Sequence, residues 1–262
     1  MSKYGIIWVG HQCEDMLERS LSPWIEARKS RLGGHDFVIC AVSVPFEGFS
    51  QDGPQDDTVE ALLARRVGGQ IDHLISNLRM DGVDDNRKWK ETEARGEALQ
   101  WLVCQGCDLT FMVDADEFYT STDIFRILKF VEVYPLVDWF KISLHNAVFN
   151  EKTFLKEPFA PPRIHRVKVR GYQADSFWDD NNVLYRGTIT RDLKRDIDLC
   201  GKTIPRSVAY PTHLSWLDNE RSRKKCEYQE SRSWKCSFRW NYDTGHLEWN
   251  PELPIPETET DS

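Results

Sequence analysis

Two carboxylates, Asp114 and Asp116, follow the apolar run Leu109-Thr-Phe-Met-Val113 and precede Glu117-Phe118. A short continuous apolar run reads as a buried strand, so this one delivers Asp-x-Asp into a turn and places both carboxylates near one point. Neighbouring carboxylates repel unless a cation lies between them. A hard divalent ion such as Mg²⁺ or Mn²⁺ takes oxygen ligands and commonly bridges protein carboxylates to phosphates. There it can stabilise a diphosphate as a leaving group. Asp114 and Asp116 thus make a metal platform for a nucleoside diphosphate. The alternative is a solvated acidic turn, and the position between the apolar run and Glu117-Phe118 favours the platform.

The elements around this turn alternate between strand and helix. Tyr4 to Gly10 is a short apolar strand, and residues 13 to 29 carry Met16, Leu17, Leu21, Trp24 and Ile25 at helical spacing. Acids begin that helix and bases end it, which suits its dipole; Pro23 should interrupt or kink it. Phe37 to Val44 is a β-branched strand, residues 47 to 57 a loop, Val59 to Arg66 a short helix and Ile71 to Ile75 a third strand. Residues 79 to 90 read as a polar loop. Glu91 to Cys104 is a helix with Ala94, Ala98, Leu99 and Leu102 on one side, and after the acidic turn come a helix, Ser121 to Val133, and a strand, Trp139 to Leu144. This alternation predicts an α/β fold with a mostly parallel sheet. Ligands of such sheets gather at the carboxyl ends of the strands, where the acids lie.

The chain has 262 residues, enough for one large domain. Hydrophobic residues make up 40% and charged residues 29%, a globular composition. With 34 Lys and Arg against 42 Asp and Glu, the net charge of −8 argues against a protein that works mainly by holding nucleic-acid phosphates. No apolar stretch reaches the roughly 20 residues that span a bilayer. Met1 to Gly10 lacks a basic leader and reads as a strand, not a signal peptide. The seven Cys are scattered and odd in number, which suggests reduced thiols in a cytoplasmic protein. Cys104 and Cys107 lack a second pair for zinc and read as small structural residues at a helix end.

The segment Cys107 to Phe118 resembles the metal-binding segment of GT-A glycosyltransferases, above all family 2 and its relatives. Arg95-Gly-Glu-Ala-Leu99 resembles the helix that precedes that segment and carries a donor-binding Arg. Trp8-Val-Gly-His-Gln-Cys-Glu14 resembles the first nucleotide-binding loop. Thr212-His-Leu-Ser-Trp216, followed by basic Arg221 to Lys225, resembles the segment that supplies a His to the metal. The similarity spans residues 4 to 225. It implies a GT-A-type fold over residues 1–250, with a nucleotide-sugar half to about residue 120 and an acceptor half to about residue 250. It also implies a metal-dependent, inverting transfer from a nucleoside-diphosphate sugar. Asp114 would face the ribose or the metal, Asp116 and His213 would bind Mn²⁺ or Mg²⁺, Arg95 would contact the donor, and His11 and Glu14 would line the nucleotide pocket. The first loop departs from the family's common Tyr-Asn at His11-Gln12, and Ala41 to Glu47 lacks the family's Asp.

An inverting transferase also needs a general base for the acceptor hydroxyl. Asp175-Ser-Phe-Trp-Asp-Asp180 lies in the corresponding region, and Asp179 or Asp180 is the expected base beside the apolar wall of Trp178. The acceptor stays open: a glycan, a small molecule, or nucleic acid held by the basic and aromatic stretch from Arg221 to Trp240. Residues 251–262, with three Pro and four acids, read as a disordered tail. Three other functions fit less well. A nucleotidyltransferase would have a Gly-rich basic first loop, which Val9 to Glu14 lacks. A non-catalytic carbohydrate-binding or scaffold module would be expected to lose the acids. A two-metal nuclease or phosphatase would need further clusters, and His145-Asn146 and Asp72-His73 lack supporting spacing.

Overall fold

The structure is a computed structural model. It describes residues 2–47, 56–77, 88–156, 160–166, 168–169, 172–173, 176–178, 184–186, 201–231 and 237–260. The first half supplies β1 (Lys3–Val9), α1 (Glu14–Ser30), β2 (Asp36–Ser43), α2 (Thr58–Val67), β3 (His73–Ser76), α3 (Glu91–Cys104) and β4 (Leu109–Asp114). Then follow β5 (Glu117–Phe118), α4 (Ser121–Val133), β6 (Trp139–Ile142), β7 (His145–Leu155) and β8 (Pro162–Arg166). Two short hairpins come next: β9 (Lys168–Val169) with β10 (Tyr172–Gln173), and β11 (Ser176–Trp178) with β12 (Leu184–Arg186). The chain continues through β13 (Gly201–Ile204), β14 (Thr212–Leu217), α5 (Glu220–Ser231), β15 (Phe238–Asn241), β16 (His246–Trp249) and β17 (Thr258–Thr260).

Seven strands form the central sheet in the order β13-β6-β8-β4-β1-β2-β3. All pairings are parallel except those of β8, which runs against both β4 and β6. The apolar runs explain the layering. Side chains alternate across a strand, and both faces of β1, β2 and β4 are apolar, as a doubly covered parallel sheet requires. Tyr4, Ile6 and Trp8 join Phe37, Ile39, Leu109, Phe111 and Val113 under α1 and α4. Ile7, Val9, Val38, Cys40, Val42 and Met112 face the other way, under Ala94, Ala98, Leu99 and Leu102 of α3. The fold is therefore the mostly parallel α/β sheet, flanked by helices, that the alternation of elements predicts.

Helices α3 and α4 begin and end at the residues expected from periodicity. The start of α4 is fixed by a capping box: Thr120 Oγ1 accepts from Asp123 N–H, and the Asp123 carboxylate accepts from Thr120 N–H. Pro23 does not interrupt α1, which runs through it with Leu17, Leu21, Trp24 and Ile25 buried on either side. Cys104 is the last residue of α3 and Cys107 is buried under Gly5, and neither is in a disulfide.

A second sheet, in the order β17-β7-β14-β5, rises from the end of the acidic turn. Residues near the end of the sequence contribute to it as β17. Thr258–Thr260 pairs antiparallel with Thr153–Leu155, and Lys156 bonds Glu257 at 2.8 Å. The β-branched threonines suit a strand, and β7 offered an unpaired edge. The loops expected at 47–57 and 79–90 lie largely outside the described residues, and so do Asp175, Asp179 and Asp180. Among the described residues, no helix is long and apolar enough to cross a membrane.

Candidate functional site

From β1 the chain turns outward to β2 and β3 on one side, while β4 lies on the other. A reversal of this kind opens a crevice at the carboxyl ends of the two central strands. The loop after β1 is tied to β2 and the turn after β4 to β1: Gly10 N–H donates to Val42 O at 3.0 Å and Ala115 N–H to Val9 O at 2.8 Å. Gly10 is needed for this approach. A Cβ at that position would lie 2.5 Å from the Trp8 ring, 2.6 Å from Cys13 Sγ and 2.7 Å from Ala115 Cβ. The start of α1 is capped from a distance, with Cys13 N–H donating to Thr58 Oγ1 and Glu14 N–H to Asp56 Oδ2, each at 2.9 Å. His11 lines the crevice, whereas Glu14 points its side chain to solvent and is not on the cavity wall. Burial pushes the Cys13 thiol up to about 12, so this thiol in the wall is not a nucleophile near neutrality.

Asp114 ends β4 between two guanidinium groups. Arg95 Nη2 donates to Oδ1 at 2.9 Å and Arg163 Nη2 to Oδ2 at 2.6 Å. Arg95 is almost fully buried on α3 and also pairs with Glu91 one turn earlier. Arg163, at the start of β8, binds Glu117 through Nε at 2.8 Å and through Nη2, and Tyr119 O–H donates to the other Glu117 oxygen at 3.1 Å. Burial opposes charge on Asp114, yet the two arginines outweigh it and hold its carboxyl below the usual range. Burial dominates at Glu117, which has no solvent exposure; its carboxyl is pushed up despite Arg163.

Asp116 is organised by β14. That strand pairs antiparallel with β5, placing His213 opposite Glu117, and Leu214 N–H donates to Asp116 O at 2.9 Å. Ser215 Oγ donates to Asp116 Oδ2 at 2.6 Å, and His213 Nε2 lies 3.5 Å from Asp116 Oδ1 and 2.7 Å from Ser215 Oγ. The ring is oriented from behind, since an Nδ1–H faces Asn146 Oδ1 at 3.0 Å. The pairing of β14 with β7 shifts by one residue between His213 and Trp216, a bulge beside the site. Burial again opposes charge on Asp116, but His213, Lys225 and the two hydrogen bonds hold its carboxyl well below the usual range.

Helix α5 closes the crevice with Arg221 and Lys225. Arg221 donates to Asp15 Oδ1 at 2.7 Å and to Gln12 O at 3.4 Å, tying the helix to the first loop. Lys225 Nζ lies 3.8 Å from Asp116 Oδ2 and also bonds Ser215 Oγ. Together these walls enclose a cavity of about 610 Å³, within the usual range for a small-molecule site of about 300–1,000 Å³. Among the described residues, four cations line it, Arg95, Arg163, Arg221 and Lys225, against Glu91, Asp114 and Asp116.

The structure brings together His11, Arg95, Asp114, Asp116 and His213 on one cavity wall and leaves Glu14 outside it. Asp179 and Asp180 fall outside the described residues. Sequence reasoning missed Arg163, Ser215 and Glu117 as site residues. The one signal for Arg163 was a cation set between Pro162 and the apolar Ile164 in a strand.

A divalent cation fits this site in a limited way. Asp116 and His213 offer an oxygen and a nitrogen side by side, while both Asp114 oxygens already accept from arginine. Among the described residues, no group of three or more His, Cys, Asp or Glu forms a ligand set. Magnesium-like ions are commonly held by one or two protein ligands, with substrate phosphates completing the shell.

No protein-family model matches the sequence, and no curated protein does. Solved structures do show similarity. TarS of S. aureus is 12% identical with a TM-score of 0.46, over 87% of this chain and 42% of that one, so the chain spans less than half of TarS. Glucosyl-3-phosphoglycerate synthase of Mycobacterium tuberculosis, solved with Mn²⁺, uridine diphosphate and phosphoglyceric acid, is 10% identical with a TM-score of 0.45, over 97% of this chain and 89% of that one. UDP-glucose pyrophosphorylase of Leishmania major, solved with UDP-glucose, is 9% identical with a TM-score of 0.35, over 94% of this chain and 68% of that one. At such identities the side chains of this protein, not those of its neighbours, decide what its site can do.

Proposed function

We propose that this chain is a metal-dependent GT-A-type glycosyltransferase that moves a sugar from a nucleoside-diphosphate sugar to an acceptor hydroxyl with inversion. The supporting observation is the Asp116–His213 pair, set into a four-cation cavity at the carboxyl ends of β1 and β4. A bound Mn²⁺ or Mg²⁺ would supply Lewis-acid stabilisation of the leaving diphosphate. The protein residues divide the remaining work. Asp116 and His213 hold the ion. Asp114, its oxygens aligned by Arg95 and Arg163, faces the ribose side. Arg221 and Lys225 take phosphate charge. The Gly10–Cys13 loop, with His11, lines the nucleotide.

The acceptor proton goes to Asp179 or Asp180. Replacing each by Asn should stop transfer in one variant by about 100-fold or more while donor binding persists in both. Full transfer by both variants would remove these acids from the mechanism. Donor binding itself is tested by melting the protein with a panel of nucleoside diphosphates and nucleotide sugars, in Mn²⁺ or EDTA. A ligand present at about 100 times its Kd stabilises by about 2.7 kcal/mol, and the shift should appear with one base and only with metal. A flat panel in Mn²⁺ would refute the transferase assignment.

A further inference from the structure

The four cations of the cavity are not held alike. Arg95 and Arg163 bond Asp114 at 2.9 and 2.6 Å, and Arg221 bonds Asp15 at 2.7 Å. Lys225 makes the longest ion pair of the four, 3.8 Å to Asp116 Oδ2, supplemented by Ser215 Oγ, which itself donates to that carboxylate. Its ammonium also lies 4.9 Å from the centre of the Trp216 ring, and its side chain stays 27% exposed, at the cavity rim rather than beneath it. A lysine has a flexible four-carbon stem and a compact charge, so it can change partners without the geometric demands of an arginine fork.

We propose that Lys225 is an exchangeable counter-ion of Asp116. It neutralises the carboxylate while no metal is bound, and it passes to the diphosphate when a metal takes Asp116. This rests on the metal and donor assignment of the proposed function. A metal ion on Asp116 places a second positive charge beside Lys225 and takes over the oxygen it pairs with, which weakens an ion pair that is already long at 3.8 Å. Metal entry therefore loosens Lys225 from its partner and leaves the ammonium at the solvent-facing rim, where the other acids of the wall, Asp114 and Glu91, are already paired with arginine, until a free anion arrives. A diphosphate gives it one. Each ligand thus removes an obstacle to the other, so metal and nucleotide bind cooperatively and the coupling is reciprocal.

The test is direct titration of Mn²⁺ by electron paramagnetic resonance, alone and with each of UDP, GDP, ADP, CDP and dTDP. The full chain is compared with its Lys225→Met and Lys225→Arg variants. The wild type should bind Mn²⁺ weakly alone and about 5–150-fold more tightly with the right nucleotide. Lys225→Met should bind Mn²⁺ alone several-fold more tightly than wild type and lose most of the nucleotide effect; Lys225→Arg should restore part of it. Equal binding of Mn²⁺ alone by wild type and Lys225→Met overturns the exchange, even if nucleotides bind. If no nucleotide binds any of the proteins at any Mn²⁺ concentration, the donor assignment fails and the exchange with it.

Discussion

Replacing Asp116 by Ala is expected to abolish metal-dependent binding of nucleoside diphosphate while leaving the chain folded. Partners that merely orient a ligand cost about 10–100-fold in metal affinity when removed, so loss of the ligating carboxylate should cost more than about 100-fold. The fold should survive because the carboxylate faces a cavity and its companions are not stranded. Lys225 stays hydrated at the rim, the buried Ser215 keeps His213 and Lys225, and His213 keeps Asn146. Asp116→Asn is the sharper variant, since it keeps the shape and a hydrogen-bond acceptor for Ser215 but loses the charge. Calorimetric titration with Mn²⁺ and the nucleotide found in the melting series, beside a denaturation curve, reads both halves. Near-normal metal-dependent binding by both variants would exclude Asp116 as a ligand.

The largest effect on stability is expected at Arg163. Its side chain is 6% exposed, and it is a shared partner of Asp114 and of the fully buried Glu117. Removing one member of a buried ion pair leaves a charge without compensation and costs about 3–5 kcal/mol. Arg163→Met should fall in that range by urea denaturation. Lys in its place should recover little, because one ammonium cannot reproduce a fork that binds two carboxylates. Adding Glu117→Gln to Arg163→Met should recover part of the loss by removing the stranded charge.

The sign with pH follows from burial. The Glu117 carboxyl is already pushed up, and without Arg163 it rises further above its unfolded value. The folded variant then holds a proton that the unfolded chain has released, so its deficit grows as pH rises and shrinks as pH falls toward the unfolded carboxyl value. A variant within about 1 kcal/mol of wild type, the range of an exposed ion pair, would show that Arg163 is not the neutralising group.

The parts of this architecture legible in the sequence are those set by local pattern. The apolar runs at Tyr4 to Val9 and Leu109 to Val113 mark β1 and β4 because strands covered on both faces need no polar alternation. The ends of α3 and α4 follow from periodicity and, for α4, from Thr120. Asp114 and Asp116 stand out because acids at the end of such a run must be either exposed or compensated. The compensating groups were not legible. Arg163 reaches Asp114 only because β8 enters the sheet against β4, a pairing that no spacing announces. Ser215 meets Asp116 through a strand 99 residues away, next to a bulge. Glu14 shows the opposite failure: a residue in the expected loop is turned outward by the first turn of α1.

The tie from Arg221 to Asp15, across 206 residues, bears on how the protein comes into being. During synthesis from the amino end, Asp116 and Glu117 emerge before their partners, and Asp114 has only Arg95 of its two arginines. Arg163 follows Glu117 by 46 residues, and Ser215 follows Asp116 by 99. The first α/β half can collapse around its own apolar strands, but the crevice at its end cannot close until Ser215, Arg221 and Lys225 are available. Contacts of such long range are slow to form, because loop-closure entropy must be met before they stabilise anything. The crevice is therefore the last region to mature, and its ligand competence reports completion of the entire fold.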